Sequence, residues 1–343
     1  MKIAIVKPDH LGDLILSMPA IRAVLARYSD ATLFIASRNV GIARLLFGDS
    51  EICPLDLPHL ARGGGNAGGG SVDFSGFDAV LFLRRDQLLN PQYAQMLCND
   101  YLFFPESNEH HQTLLDYGIA AKIVGPYDID ATFFGSGADL IRAKSVRPPA
   151  AVGLCISAGF HANCWPAASW VRLGHELQAR GHQLSLVCGP REHRLAEIIS
   201  QALRLGENGM IRGTGDYQLF LDRVAQLDCV IASDGGAAHL CSLVAPIVSI
   251  FGASPFRRYA PFGRWNRLLT LQLPCSPCSQ YDSRAINGCL GNECIVGITP
   301  GQVLDVLNLD CPENFPSSVD IGDGCSLYFG ASHLGRRELN LRW

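Results

Sequence analysis

Long apolar runs are absent from this 343-residue chain. No stretch reaches the roughly 18 uninterrupted apolar residues of a membrane-spanning helix, so membrane association is expected to be peripheral at most. Charge of one sign is not in excess either. Lys and Arg number 28 against 32 Asp and Glu, a net charge of −4, so no broad basic surface for nucleic acid is expected. No strand leads into Gly-x-Gly-x-x-Gly, which argues against a nicotinamide-dependent enzyme. The first residues, Met1 to Val6, run straight into a strand pattern and carry no secretory cleavage pattern, so a cytoplasmic location is expected. Cysteine is the exception to this sparseness, with 13 in the chain. In the cytoplasm they are expected to be reduced unless some bind metal. Cys155, Cys188, Cys229 and Cys241 lie in apolar runs and read as small core residues.

What is present is an alternation of buried-type strands and helix-compatible segments, the pattern of an α/β fold with parallel sheets. The most informative stretch is Ile231-Ala232-Ser233-Asp234-Gly235-Gly236-Ala237-Ala238-His239-Leu240. An apolar strand precedes it, a short helix follows the glycines, and Pro246 to Gly252 reads as another strand. Two glycines at such a turn let a ligand approach the backbone and expose N–H groups where an anion is welcome. The alternative is a tight turn that needs two glycines for its own geometry. Near the start, Lys2 to Val6 is a strand, the loop Lys7-Pro8-Asp9-His10-Leu11-Gly12-Asp13 follows, and a helix runs from about Asp13 to Tyr28, with Pro19 predicted to make its first turn irregular. Arg142 to Ala150, with Pro148-Pro149, reads as a linker. The expected domains are 1–147, 148–310 and an unplaced tail, 311–343. A glycine-rich insertion, Gly63 to Gly70, is expected to be a mobile surface loop.

Several of these motifs occur in an order that resembles glycosyltransferase family 9, the ADP-heptose:lipopolysaccharide heptosyltransferases. They are Gly12-Asp13-Leu14 with Met18-Pro19-Ala20; His111 with Leu114, Leu115 and Gly118; Trp165-Pro166; Asp234 to His239; Phe251-Gly252-Ala253; and Cys275-x2-Cys278 with Cys289 and Cys294. The resemblance covers about Met1 to Leu309. It implies the GT-B architecture, two Rossmann-like domains facing a cleft, the first for the acceptor and the second for the nucleotide sugar. It also implies an inverting transfer of heptose from ADP-heptose that needs no metal cofactor for catalysis.

The family's general base matches Asp13, where a carboxylate can take the proton of an acceptor hydroxyl. A helix N-cap is the other reading of that aspartate. Gly235 and Gly236 would hold the donor diphosphate, His239 and Asp234 would meet phosphate or sugar, and the segment holding Thr214 and Asp216 matches where the family contacts adenine. Asn163 stands where the family usually has a Lys that meets the donor phosphate, and Gly235 where it has Thr or Ser. Those departures leave open a different nucleotide-sugar donor, or a catalytically weak binding or scaffold subunit. His10, Arg84 and Arg85 are candidates for the acceptor, which a lipopolysaccharide core, another glycan, a lipid-linked sugar or a protein could supply. Cys275, Cys278, Cys289 and Cys294 have the ligand count of a structural Zn or Fe thiolate site, with reduced thiols or adventitious disulfides as the alternative.

Overall fold

The computed structural model describes residues 1–57, 72–84, 110–145, 147–263, 265–271, 273–278, 289, 291–307, 318–320 and 325–329. The glycine-rich insertion and Arg85 lie outside the described residues. The chain divides into two compact units, Met1–Gly135 and one that begins at Ser136.

In the first unit, β1 (Ile3–Lys7), β2 (Thr32–Ile35), β3 (Glu51–Pro54) and β4 (Ala79–Phe82) form a parallel sheet in the order β3-β2-β1-β4. The Val, Ile, Leu and Phe of β1, β2 and β4 are buried, as expected of a parallel sheet covered on both faces. The helices are α1 (Leu11–Leu16), α2 (Met18–Arg27), α3 (Val40–Phe47), α4 (Gln112–Val124) and α5 (Ile129–Phe134). The single helix predicted from Asp13 is two, broken at Ser17, as the irregularity predicted for Pro19 requires. Pro19 lies in the first turn of α2, where its missing N–H costs no helical bond. Asp116 of α4 fixes the break by accepting from Ser17 Oγ at 2.6 Å.

The second unit contains α6 (Ala138–Ser145), β5 (Ala151–Cys155), α7 (Ala167–Ala179), β6 (Gln183–Cys188), α8 (His193–Ala202), β7 (Met210–Arg212), α9 (Tyr217–Val224) and β8 (Cys229–Ser233). It continues with α10 (Gly236–Cys241), β9 (Ile247–Phe251), α11 (Phe256–Tyr259), β10 (Arg267–Leu271), α12 (Glu293–Val296), α13 (Pro300–Leu307), β11 (Ser318–Asp320) and β12 (Cys325–Phe329). The sheet order is β11-β12-β10-β9-β8-β5-β6-β7. Strands β5 to β10 are parallel neighbours, and the tail contributes β12 and β11 as antiparallel strands at one edge. Trp165 and Trp170 pack edge to face at 4.9 Å in the core, and Trp165 Nε1 donates to Ile298 O at 2.9 Å.

The predicted linker is bound into this unit. Its first half is the end of α6, where Lys144 Nζ donates to Ala225 O at 2.5 Å and Leu227 O at 2.9 Å. Asp228 accepts from Arg147 and from the Ala150 and Ala151 amides. The prolines only lead the chain into β5, so the division falls between Gly135 and Ser136 rather than at 147.

Candidate functional site

In each unit the parallel strands have a point where their order changes direction, and most of the candidate residues lie near it. In such sheets, ligands bind beyond the carboxyl ends of the strands at this switch point. In the first unit it lies between β1 and β4. The loops after β1, β2 and β4 meet at Asp9, a residue that sequence reasoning left without a role. Asp9 is 4 % exposed. Arg84 Nη1 is 2.7 Å from its Oδ1, Lys7 Nζ is 3.4 Å from its Oδ2, and the His10 amide donates to Oδ1 at 2.9 Å. Its backbone carbonyl accepts from Arg38 at 3.1 Å and Asn39 at 2.9 Å. Burial works against the charge of Asp9, but Lys7, Arg84 and the His10 amide outweigh it and hold the carboxyl well below the usual carboxylate range.

Asp13 sits in the first turn of α1. It is not the helix cap, a position held by His10, which makes no side-chain capping bond. Burial pushes the Asp13 carboxyl up from 3.8 to about 7. The Asp9 charge adds to that rise, while Lys7 and Arg84 oppose it. His10 Nδ1 lies 3.2 Å from Arg38 Nη2, so His10 and Arg84, both read as acceptor contacts, are already engaged with this loop cluster. His111 caps α4, its Nδ1 accepting from the Thr113 amide at 3.3 Å.

In the second unit the switch point lies between β5 and β8. Asn163 is fully buried. Its Nδ2 donates to Asp234 Oδ2 and Ser254 Oγ, both at 2.7 Å, and its Oδ1 accepts from the Ala253 amide at 3.2 Å. The residue in the lysine position is therefore a neutral bracket joining the loops after β5, β8 and β9. Burial raises the Asp234 carboxyl from 3.8 to about 6, partly offset by the Ser254 hydroxyl. Ser254 was not visible as a site residue, since a lone Ser after a strand carries no signal by itself.

Gly235 is the N-cap of α10, with φ 176 and ψ 169, an extended conformation open to any residue. Its need for glycine comes from packing. A Cβ there would lie 3.0 Å from both Gly159 N and Ser157 O and 3.1 Å from Ala158 Cα. Gly159 N also donates to Asp234 O at 2.9 Å. The first N–H groups of α10 have no partner within a helix, as at any helix start. His239, 5 % exposed, lies in the same short helix. Asp216 caps α9 by accepting from the Leu219 amide at 2.9 Å, and Thr214 and Asp216 line a hollow together with Arg212 and Phe220.

The four predicted cysteine ligands are gathered next to this bracket. Cys278 N donates to Ala253 O at 2.8 Å, and Cys294 packs against Ala162 and Ala253. Burial, then the neighbouring Cys278, Cys289 and Cys275, push the Cys294 thiol up to about 11. Among the described residues, no three His, Cys, Asp or Glu side chains converge closely enough to hold a metal ion. Among the described residues, no helix is long and apolar enough to cross a membrane.

Residues 131–287 match the model of glycosyltransferase family 9 (heptosyltransferase). No curated protein matches the chain. Among solved structures, the family 9 glycosyltransferase of Veillonella parvula superposes with a TM-score of 0.59 at 17 % identity, over 89 % of this chain and 96 % of that one. The E. coli heptosyltransferase WaaC with ADP-2-deoxy-2-fluoro heptose gives 0.58 at 14 % identity, over 90 % and 99 %. The iron-containing dodecameric glycosyltransferase TibC of enterotoxigenic E. coli gives 0.52 at 13 % identity, over 89 % and 75 %. The family model thus matches residues 131–287, a little under half of the chain, and the fold is shared with heptosyltransferases along about nine-tenths of its length.

Proposed function

We propose that the chain transfers a heptose from ADP-heptose to an acceptor hydroxyl with inversion, using Asp13 as general base. One observation carries the reading beyond the family: the Asp13 carboxyl is poised near neutrality, at about 7. A base is most effective when its pKa lies near the working pH. The Asp13 carboxylate takes the hydroxyl proton as the acceptor oxygen bonds to the anomeric carbon. The bond from that carbon to the diphosphate breaks, and ADP leaves with the electron pair. The N–H groups of Gly235 and Gly236, aided by His239, stabilise the negative charge on the leaving group. Asp234 faces a sugar hydroxyl, and the segment with Thr214 and Asp216 holds adenine.

A second reading changes the donor to another nucleotide sugar. It is favoured by Asn163, which is fully buried and offers no cation to a phosphate. Loss of one charge-assisted bond costs about 1.5–3 kcal/mol of binding.

Calorimetric titration with ADP, UDP, GDP and ADP-heptose separates the two. Preference for ADP, with Asp13→Asn losing transfer but keeping ADP affinity, is the expected result. Preference for UDP or GDP overturns the donor. No binding to any of them makes a scaffold role the better account.

The cysteine group is read as a structural Zn or Fe site. Four thiol donors and no carboxylate suit either metal. The sulfurs are neighbours but not at ligand distances, so binding requires them to draw together. Bound there, a metal would pin this segment to the Ala253 turn and leave no open position for chemistry.

A further inference from the structure

One turn of the second unit, Ala158-Gly159-Phe160-His161-Ala162-Asn163, is fastened at both ends to Asp234. The Gly159 amide donates to Asp234 O at 2.9 Å, and Asn163 Nδ2 donates to Asp234 Oδ2 at 2.7 Å. The residues between those anchors stand beside the Asp234-Gly235 turn, beyond the end of β5, where ligands of such sheets bind. Only two side chains of the segment are polar. Asn163 is fully engaged: its N–H groups go to Asp234 and Ser254 and its oxygen to the Ala253 amide, so no donor is left for a ligand. His161 is the other, and it is exposed. Its ring is nevertheless held, because Asn292 Nδ2 lies 3.2 Å from its Nδ1. Asn292 is 8 % exposed, its backbone N–H reaches Cys289 Sγ at 3.4 Å, and its carbonyl accepts from the Ile295 and Val296 amides of α12. Cys294 of the same helix packs against Ala162. The Asn292 amide suits either state of the imidazole. Its Nδ2 donates to the bare Nδ1 of a neutral ring. Its Oδ1, which has no hydrogen-bond partner among the described residues, accepts from the Nδ1–H of a charged ring once the amide turns. In both arrangements Nε2 carries a proton and is left as a donor.

We propose that His161 is a binding residue for the donor's diphosphate, its Nε2–H donating to a phosphate oxygen while Asn292 holds the ring in place. Asn292 is a positioning residue that acts through His161. This rests on the reading of the Asp234-Gly235-Gly236 turn as the diphosphate site. It does not depend on the base, since the diphosphate is common to ADP, UDP and GDP.

The test is calorimetric titration of the full chain with ADP, UDP and GDP. The unaltered protein is compared with His161→Ala, His161→Arg, Asn292→Gly and the double variant of His161→Ala with Asn292→Gly. Glycine is chosen at position 292 because the backbone there has φ 45, which glycine adopts without strain. His161→Ala is expected to weaken every nucleotide that the unaltered protein binds by about 10- to 100-fold, the range for a hydrogen bond to a charged group. His161→Arg, which restores donors at the same position, is expected to recover most of that loss. Asn292→Gly is expected to weaken binding by a smaller factor when His161 is present and not at all when it is Ala, a dependence that a merely structural role for Asn292 does not produce. Equal affinity of His161→Ala and the unaltered protein overturns the proposal and leaves the diphosphate reading standing. A loss that His161→Arg shares in full overturns direct contact with phosphate. A loss from Asn292→Gly that is the same in both backgrounds overturns its positioning role. If the unaltered protein binds none of the three nucleotides, the diphosphate reading fails and the proposal with it. Should Asn292→Gly not fold, His161→Ala against His161→Arg decides alone.

Discussion

Replacing Asn163 by Ala removes three hydrogen bonds from the centre of the second unit. The side chain is fully buried, and its partners Asp234 and Ser254 are 9 % and 7 % exposed, so water cannot readily take its place. The bond from Nδ2 to Asp234 Oδ2 is short, at 2.7 Å, and its acceptor is an ionisable carboxyl. Such a bond contributes about 1.5–3 kcal/mol, and the two to Ser254 and the Ala253 amide about 0.5–1.5 kcal/mol each. The expected loss of stability is therefore about 2.5–6 kcal/mol. For a unit of this size each kcal/mol lowers Tm by about 2–4 °C, so a fall of about 5 °C or more is expected. Thermal and urea unfolding followed by circular dichroism measure it. Asn163→Asp sharpens the test, because it sets a second carboxyl against Asp234, whose own value is about 6. That variant is expected to be severely unstable at pH 8 and to recover much of the loss at pH 5, where the pair holds a proton. Unfolding of Asn163→Ala within about 1 kcal/mol of the unaltered protein would show that the bracket does not hold these loops together. Equal losses for Asn163→Asp at the two pH values would refute the electrostatic part of the reasoning.

Two further outcomes follow from the same structure. Asp13→Asn is expected to raise Tm above pH 7 relative to the unaltered protein, with the gain vanishing below about pH 4. The sign follows because the folded carboxyl titrates at about 7 against 3.8 unfolded, so its ionised form destabilises the fold only as pH rises through that window. Tm difference curves across pH check it, and a gain that persists at low pH contradicts it. Purification without chelator is expected to yield about one Zn or Fe per chain by elemental analysis. Changing Cys278 to Ser is expected to abolish that metal while leaving the rest of the sheet folded, and full retention of metal rules these thiols out as its ligands.

Much of the fold was legible in the chain itself. The apolar runs at Ile3–Lys7, Ala151–Cys155, Cys229–Ser233 and Ile247–Phe251 became buried strands because residues covered on both faces leave a continuous hydrophobic signature. Short or edge elements were not legible. Glu51–Pro54 alternates weakly, and Met210–Arg212 has three residues, too few for a period to show. Arg267–Leu271 begins with a charged residue, which a buried-strand pattern does not announce. That guanidinium is buried, donating to Val306 O and Leu307 O at the end of α13, a partner 39 or 40 residues away. The tail has no clear period in sequence, yet it supplies β11 and β12, because β12 takes its pairing from β10 and β11 from β12.

The candidate site divides along the same line. The sequence nominated Gly235 and the four cysteines from local motifs, and Asp13 and Asp234 through the family resemblance those motifs carry. It offered a reason for Gly235, the freedom of a tight turn, that the backbone does not bear out. The glycine is required by the approach of Ser157 and Gly159, which no local pattern encodes. Asp9 and Ser254 were not legible, because their importance lies only in what surrounds them: two cations from separate strands for one, and the amide of Asn163 for the other. Local sequence thus nominated the groups with candidate chemistry, while the folding of distant loops onto each sheet's switch point decided the burial and the partners of those groups, because burial and charge proximity arise only from tertiary structure.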